Sequence, residues 1–270
     1  MKESLSLKFL YNTAPGRAVL KVLVDPRVST PVGKLLDSGL SRVAIEPFKT
    51  HNGISLEGID VPEEGFASFN DFFTRKREYI VFDGENDHFC SPCDGYLTTF
   101  DIDENSTFAI KHTVYSLTDL LKSPKLAKCF KGGKALVFRL TPEHYHRYHF
   151  IDDGEIVAQR KIPGVLHTVR PIATEKYPVY IRNSREYSII KSENFGLIIQ
   201  MEIGALLIGR ICNDVTEGKV RRGQEKGRFE FGGSTIVVLT RKDEIELNEK
   251  FIGNEDETPV TVGDCLGYKK

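Results

Sequence analysis

The chain has 270 residues and a formal net charge of −1, and 40% of its residues are hydrophobic and 28% charged. This length can bury one large core or two modest ones, and the composition is that of a folded protein. The net charge argues against a dedicated nucleic-acid binder, which needs a basic surface to neutralise phosphates. No apolar run approaches the ~18 residues needed to cross a bilayer, so any membrane contact is expected to be peripheral.

The first 50 residues combine apolar positions with a basic excess of eight Lys and Arg over four Asp and Glu. Pro15, Gly16 and Pro26 interrupt the apolar positions, which predicts several short helices. A basic amphipathic segment of this kind can lie on an anionic lipid surface, or its helices can pack on the rest of the protein. Both interpretations stay open from these residues alone.

Residues 66–77 predict a further helix. Ser68 or Asn70 can serve as its N-cap, three phenylalanines form an apolar face, and the cations lie at its C-terminal end. From about residue 89 the pattern changes to alternating apolar positions punctuated by Gly and Pro, which is typical of strands. The strands are predicted at Tyr96–Ile102, Ala135–Leu140, Glu155–Ile162 and Gly196–Ile203.

These elements predict an α+β fold, with short N-terminal helices followed by a β-rich domain of mainly antiparallel sheets. One helix, at about 117–130, interrupts the β-rich part. The change from helix to sheet between residues 78 and 89 divides the chain into an N-terminal helical region, 1–85, and a β-rich domain, 86–270.

The five cysteines are an odd number, and no secretory signal precedes them, so reduced thiols in a cytosolic setting are expected. Cys90 and Cys93 have the spacing of a redox or zinc pair. No second such pair follows and no thioredoxin-like pattern surrounds them, so no function is assigned to them.

Two segments of the β-rich part carry groups capable of acid–base chemistry. Asp94 lies on a tight turn at the start of a predicted strand, where it can act simply as a turn former. His144, His146 and His149 fall within six residues. His144 and His146 would share one face of a strand and could hold a metal, but no Asp or Glu lies between them, and a polar pocket fits equally well.

The stretch Phe-Gly-Gly-Ser-Thr at 231–235 directly precedes the apolar run 236–239. Gly233 can hold its carbonyl in a strained geometry next to the hydroxyl of Ser234. If a base removes the hydroxyl proton, Ser234 Oγ can attack that carbonyl and turn the amide into an ester. Without a base, the same residues are only a turn that enters a strand.

His149 is the candidate base, and Asp94 is the candidate group that fixes the tautomer of its imidazole. With Ser234 they form a triad in the chain order Asp, His, Ser, whose substrate carbonyl belongs to the protein itself. Such triads depend on geometry, which a sequence does not contain.

The motifs around these residues resemble the phosphatidylserine decarboxylases, a family of self-processing, pyruvoyl-dependent lyases. The resemblance covers nearly the whole chain. Many members have Leu-Gly-Ser-Thr at the cleavage site, whereas this chain has Gly232 before Gly233, as one branch of the family does. Asn183-Ser184-Arg185 also departs from the more common Asn-Glu-Arg. The matching motifs are FNDFF, SPCDG with Asp94, YHRYH with His146 and His149, GVLHTV around His167, NSREY, MEIGALLIGRI and FGGST with Ser234.

The resemblance implies a proenzyme that cuts itself between Gly233 and Ser234 into a large chain, 1–233, and a small chain, 234–270, which stay together. Ser234 would become a covalent pyruvoyl cofactor that forms a Schiff base with the amine of phosphatidylserine. Carbon dioxide and phosphatidylethanolamine would be the products, and His146 would be the proton donor. No metal is implied.

The resemblance also implies a place in phospholipid biosynthesis. The protein would lie peripherally on the cytoplasmic side of the cell membrane, and the basic, apolar N-terminal region, 1–85, would make the contact. A homodimer is one open option for its oligomeric state.

Two other functions remain as alternatives. The first keeps the pyruvoyl chemistry but acts on a soluble amino acid or a peptide-like metabolite. The second is a non-enzymatic β module whose histidines hold a metal.

Overall fold

The computed structural model describes residues 5–110, 113–174, 177–206, 210–232, 234–252 and 257–270. In these ranges the helices concentrate in the N-terminal third of the chain, as predicted. They are α1 (Leu5–Asn12), α2 (Ala14–Leu23), α3 (Pro26–Leu36), α4 (Ile45–Asn52), α5 (Phe69–Phe73), α6 (Leu117–Leu121), α7 (Pro124–Lys128), α8 (Pro171–Thr174) and α9 (Val179–Arg182), with 3-10 turns at Gly39–Ala44 and Glu249–Phe251.

Strands dominate the rest of the chain. They are β1 (Ile59–Asp60), β2 (Lys76–Arg77), β3 (His88–Cys90), β4 (Gly95–Asp101), β5 (Thr107–Ile110), β6 (Thr113–Ser116), β7 (Lys134–Leu140), β8 (Arg147–His149), β9 (Gly154–Ile162), β10 (Arg185–Ser192), β11 (Leu197–Gly204), β12 (Ile211–Asn213), β13 (Gly218–Val220), β14 (Glu225–Phe229), β15 (Ser234–Thr240), β16 (Ile245–Leu247), β17 (Thr258–Val260) and β18 (Cys265–Lys269).

One eight-stranded sheet organises the molecule, in the order β13-β9-β10-β11-β15-β7-β4-β17. Every neighbouring pair in it is antiparallel. The four strands predicted from alternating apolar residues are β4, β7, β9 and β11, and they agree with the prediction to within one residue at each end. The α+β fold class is therefore confirmed.

The two faces of this sheet bury different partners, because successive side chains of a strand point to opposite faces. On β15, Val237 and Leu239 pack in one core cluster with residues of α2 and α6. Ile236 and Val238 pack in another cluster with Tyr148 of β8 and Phe229 of β14. One face therefore carries helices, which we call the helical face, and the other carries small sheets, which we call the strand face.

The strand face is covered by two three-stranded sheets, β12-β14-β8 and β16-β18-β3. The first holds the histidine segment, since β8 ends at His149. The second pairs β3 from the middle of the chain with β18 near the C-terminus. This layer therefore joins residues on both sides of position 233.

The N-terminal helices pack on the helical face of the large sheet. Tyr11, Leu20 and Val24 belong to the same core cluster as the residues of β7 and β11. The hydroxyl of Tyr11 lies 3.2 Å from Nδ1 of His167 and accepts the backbone N–H of Thr168 at 3.1 Å. The division of the chain at residue 85 into two domains stays a prediction.

Two helix predictions need correction. The helix predicted over 66–77 is only α5, because Lys76 and Arg77 leave the helix to form β2. Ser68 is its N-cap, since its hydroxyl accepts the N–H of Asp71 at 3.1 Å. The helix predicted at 117–130 is divided into α6 and α7, because Lys122 between them has a left-handed backbone with φ of 49°.

Candidate active site

Ser234 is the first residue of β15, in the middle of the large sheet. Its register partners are Gly204 at the end of β11 and Leu140 at the end of β7. By strand alternation its side chain belongs to the strand face, like that of Ile236. It is fully buried. The serine therefore begins an interior strand, and residues after it are held by ladders on both sides.

The same end of the sheet carries Asp94. This residue directly precedes β4, and Tyr96 of β4 is paired with Arg139 of β7, one residue from Leu140. β7 thus lies between Asp94 and Ser234. Since neighbouring strands are about 4.8 Å apart, the backbones of β4 and β15 are separated by about 10 Å. The chain leaves β7 at this end and continues directly into the histidine segment.

The Asp94 carboxylate is held by three donors. Its Oδ2 accepts an ion-paired hydrogen bond from Arg77 at 2.6 Å and a longer one from the N–H of Tyr145 at 3.4 Å. Its Oδ1 accepts the N–H of Val262 at 3.0 Å. Because Val262 lies after position 234 and Arg77 before it, the carboxylate joins the two sides of the predicted cleavage point.

His149 lies in the same cluster. Its backbone N–H donates to the carbonyl of Pro92, two residues before Asp94, at 2.9 Å. Its ring stacks on Tyr145, with centroids 6.2 Å apart and planes 16° apart, and the Arg77 guanidinium covers the same tyrosine. Burial lowers the pKa of His149 to about 4, although the nearby charge of Asp94 opposes this shift. The imidazole is therefore neutral at pH 7 and can accept a proton.

His146 is packed against the segment that leads to Ser234. Its ring lies on Phe73 of α5 with centroids 4.0 Å apart, and its carbonyl accepts the N–H of Phe229 at 2.9 Å. Its Nδ1 lies 2.9 Å from the carbonyl of His144, and since a carbonyl can only accept, Nδ1 carries the hydrogen. Burial, reinforced by the charge of Arg75, holds the pKa of His146 well below its usual range.

Three side-chain atoms of these residues are buried without a hydrogen-bond partner in the described ranges: Ser234 Oγ, His149 Nδ1 and His146 Nε2. An unpaired buried polar group costs about 1–3 kcal/mol. The bonds from Ser234 to an imidazole and from Asp94 to His149 that a triad requires are not formed between these described residues. The structure brings Asp94 and His149 together in one cluster and ties His146 to the strand leading to Ser234.

The backbone before Ser234 requires glycine at one position at least. Gly232 has φ of 146°, a conformation that side chains rarely adopt. Gly233, the predicted source of the strained carbonyl, lies outside the described residues. The backbone conformation at Gly232 therefore explains why the first residue of the Gly-Gly pair is glycine.

Two contributors to the site were not predicted from the sequence. Arg77 was counted among the cations of a helix C-terminus, but it is the ion-pair partner of Asp94. Asn70 was a candidate N-cap, but its Oδ1 accepts the N–H of Phe231 at 3.2 Å, and Phe231 packs edge-on against Phe69 and Phe73. Neither contact leaves a local signal, because the partners are 17 and 161 residues apart in sequence.

The proposed metal alternative finds no support in the geometry. Within the described residues, no group of three or more His, Cys, Asp and Glu side chains is arranged to hold a metal ion. Nδ1 of His144 already accepts the N–H of Thr141 at 2.9 Å.

The five cysteines form no disulfide with one another. No described helix combines the length and the apolar character that crossing a membrane requires.

Comparison with known proteins assigns the class. The family model described as phosphatidylserine decarboxylase matches residues 69–268, which covers all the candidate site residues. The chain therefore belongs to the phosphatidylserine decarboxylase family, a family of carboxy-lyases.

Individual relatives agree over almost the full chain. A protein named phosphatidylserine decarboxylase proenzyme 2 from Clostridium acetobutylicum is 40% identical over 267 residues, covering 97% of this chain and 91% of the relative. A phosphatidylserine decarboxylase proenzyme from Ruminiclostridium cellulolyticum is 39% identical, covering 97% and 90%. Another from Clostridium perfringens is 34% identical, covering 100% and 96%.

Proposed function

We propose that this chain is a proenzyme that cuts itself between Gly233 and Ser234 and then converts phosphatidylserine to phosphatidylethanolamine and carbon dioxide. The observation that carries the proposal is the Ser234 hydroxyl. It is fully buried without a hydrogen-bond partner in the described ranges, at the sheet end that also carries Asp94. Most buried polar groups in native proteins are paired, so an unpaired hydroxyl at this position calls for an explanation.

Cleavage needs a base, and His149 is suited to it. An imidazole whose pKa lies at about 4 is unprotonated at neutral pH. Ser234 Oγ and His149 Nδ1 are both unpartnered within the described chain, so both atoms are available for the hydrogen bond that proton transfer requires. Catalytic hydrogen bonds often tighten only on the reaction path. Asp94 would support the positive charge that His149 gains.

The cleavage itself balances without an external oxidant. Ser234 Oγ attacks the Gly233 carbonyl, the C–N bond breaks, and an ester replaces the amide. Removal of the Cα proton of residue 234 then breaks the Cβ–O bond, so 1–233 leaves with a carboxylate. The double bond left at residue 234 rearranges to an imine, and one water hydrolyses it with loss of ammonia. Residue 234 thereby becomes a ketone.

The site fits a pyruvoyl group at residue 234. The Ser234 side chain makes no hydrogen bond to a described residue that the conversion would break, and ladders on both sides hold the strand that follows it. The group supplies a ketone that can bind the substrate amine and accept the electrons released when carbon dioxide leaves. Val262 bound to Asp94, and β18 paired with β3, hold the two fragments together after cleavage.

His146 is the proposed proton donor for the carbon that loses carbon dioxide. Its Nδ1–H is held by the His144 carbonyl, so Nε2 is the atom that takes up and delivers the proton. An imidazolium in this buried setting, beside Arg75, gives up its proton readily, because its pKa is depressed. Phe73 covers the ring and keeps it away from bulk water.

The proposed substrate lies in a membrane, and the N-terminal helices have a surface for it. Leu5 is 84% exposed, Leu40 78% and Val43 83%, alongside exposed basic residues of the same segment. An exposed surface that is apolar and basic suits the interface of an anionic bilayer. We assign the protein to the cytoplasmic side of the cell membrane as a peripheral protein.

Intact mass spectrometry of the wild type, Ser234→Ala and His146→Ala tests the proposal. We expect the wild type to give two fragments, 1–233 and 234–270, the smaller without a free amino terminus. Ser234→Ala should give one species of full length and no decarboxylation. His146→Ala should cut normally but turn over phosphatidylserine poorly. One uncut species in both the wild type and Ser234→Ala would reject the proenzyme.

A further inference from the structure

A cavity of about 500 Å³ lies between α2 and the segments around residues 165 and 180, apart from the candidate site. Three of its lining residues are cations: Arg17 and Lys21, one turn apart on α2, and Arg182 at the end of α9. None of the described residues that line it is a carboxylate. None of the three cations forms an ion pair with a described residue within 4.0 Å. The described wall of the cavity therefore carries three positive charges and no negative one.

The rest of the wall shows what kind of anion fits. Leu20 and Val24 of α2 give one side an apolar surface. His167 and Tyr177, which also line the cavity, stack with centroids 4.8 Å apart and planes 11° apart, and the Arg182 guanidinium lies 5.7 Å from the centre of the tyrosine ring. A guanidinium group can donate two parallel hydrogen bonds to two oxygens of one phosphate, so the charged part of the cavity wall suits a phosphate group. The apolar side suits a ligand in which the phosphate is joined to hydrocarbon.

The position of α2 indicates where such a ligand would come from. Its cavity side carries Arg17, Leu20 and Lys21, whereas Val19 and Val22 on other sides of the same helix are 47% and 57% exposed. An interface that covers Val19 and Val22 would therefore lie against the same helix that forms one wall of the cavity.

The cavity is also connected to the strand at Ser234. Asn183 accepts the N–H of His167 at 3.0 Å and donates to the carbonyls of His167 and Gly204 at 2.7 and 2.8 Å. Gly204 is the register partner of Ser234. One buried side chain thus joins the cavity wall to the candidate active site.

We infer that this cavity binds the phosphodiester of an anionic phospholipid, with Arg17, Lys21 and Arg182 as its charged contacts. The inference rests on the proposed function only in taking the N-terminal helices to lie at a membrane. The phosphate can be that of the substrate or of a neighbouring anionic lipid, since both have the same diester chemistry.

Calorimetric titration of the uncut Ser234→Ala protein tests the site, because this protein neither cleaves nor decarboxylates. The probe is dihexanoyl phosphatidylglycerol below its micelle concentration, with inorganic phosphate as the second arm. We expect the lipid to bind, and its affinity to fall about tenfold or more when Arg17→Gln and Lys21→Gln are combined, since two charge-assisted contacts are lost. The ¹⁵N signals of the His167 ring should shift on binding.

The matched control is Lys8→Gln with Lys34→Gln, which removes the same charge from exposed positions of α1 and α3 outside the cavity. It should leave the affinity unchanged. Absence of lipid binding, or an equal loss in the control, would overturn the site. Inorganic phosphate binding as tightly as the lipid would overturn the lipid assignment. Because fragments are scored separately by mass spectrometry, a failure here is distinct from a failure of self-cleavage.

Discussion

Two buried polar regions lie at the same end of the large sheet, two strands apart, and they differ in whether their buried polar atoms are hydrogen-bonded. Arg185 at the start of β10 directs its guanidinium to the carbonyls of Asp119, Leu120, Ile181 and Asn183, at 2.8–3.0 Å. Ser234 at the start of β15 has a buried hydroxyl with no described partner. The first region is saturated with hydrogen bonds and the second is not.

The difference separates structural from reactive burial. A buried cation is tolerated when each of its donors is paired, and Arg185 then ties α6 and α9 to the sheet. Burial lowers the pKa of Arg185 to about 10, which still leaves it charged at neutral pH. Unpaired atoms on Ser234, His146 and His149 cost stability, and under the proposed function these atoms are kept for the self-cleavage and proton-transfer steps.

Asp94→Asn is expected to have a large effect on the region around Ser234. The substitution removes the charge that supports a protonated His149, so cleavage of a freshly synthesised chain should slow by about 10²- to 10⁴-fold. Cell-free synthesis followed by gel analysis of the fragments over time measures the rate.

Asp101→Asn is the matched control, since Asp101 is exposed at the other end of the same strand β4. It should cleave at the wild-type rate. Equal rates for Asp94→Asn and the wild type would remove Asp94 from the reactive region and leave it a structural partner of Arg77.

The second effect is a pH dependence centred on His149. The folded pKa of His149 is about 4 and its ordinary value is 6.5. Between these values the unfolded chain binds a proton that the folded chain does not, so stability falls as pH falls from 6.5 to 4. A shift of this size corresponds to about 3 kcal/mol, present above pH 6.5.

Urea unfolding of the uncut Ser234→Ala protein at pH 7 and pH 4.5 measures the loss, and His149→Gln in the same background isolates the part due to this residue. The variant should lose less stability over this interval, while other buried histidines continue to contribute. Identical pH profiles with and without His149 would mean that its imidazole is not held neutral by burial.

The sequence predicted regular elements better than it predicted the contacts of the site. Alternation in β4, β7 and β11 was readable because these strands place side chains in or against both large core clusters, whereas β9 places Ile162 in one of them and Ile156 in a smaller cluster. Asp94, His146, His149 and Ser234 were found as unusual residue types within motifs. The partnership of Arg77 with Asp94 could not be predicted, because it depends on β2 leaving the expected helix. Asn183 was noted only as part of a segment that departs from the common pattern at Ser184, yet its side chain connects His167 with Gly204.

The smallest effect concerns the saturated region and uses Arg185→Lys. Lysine keeps the positive charge, but its single ammonium group cannot donate to all four carbonyls as the planar guanidinium does. Some of these carbonyls therefore lose their hydrogen-bond donor. We expect a loss of about 2 kcal/mol in the free energy of unfolding, with self-cleavage intact.

Arg160→Lys is the control, because Arg160 is exposed and also donates to carbonyls at the end of α6, those of Leu121 and Lys122. It should cost less than about 0.5 kcal/mol. If Arg185→Lys stopped cleavage without lowering stability, Arg185 would belong to the reactive region, and the contrast between the two buried regions would fail.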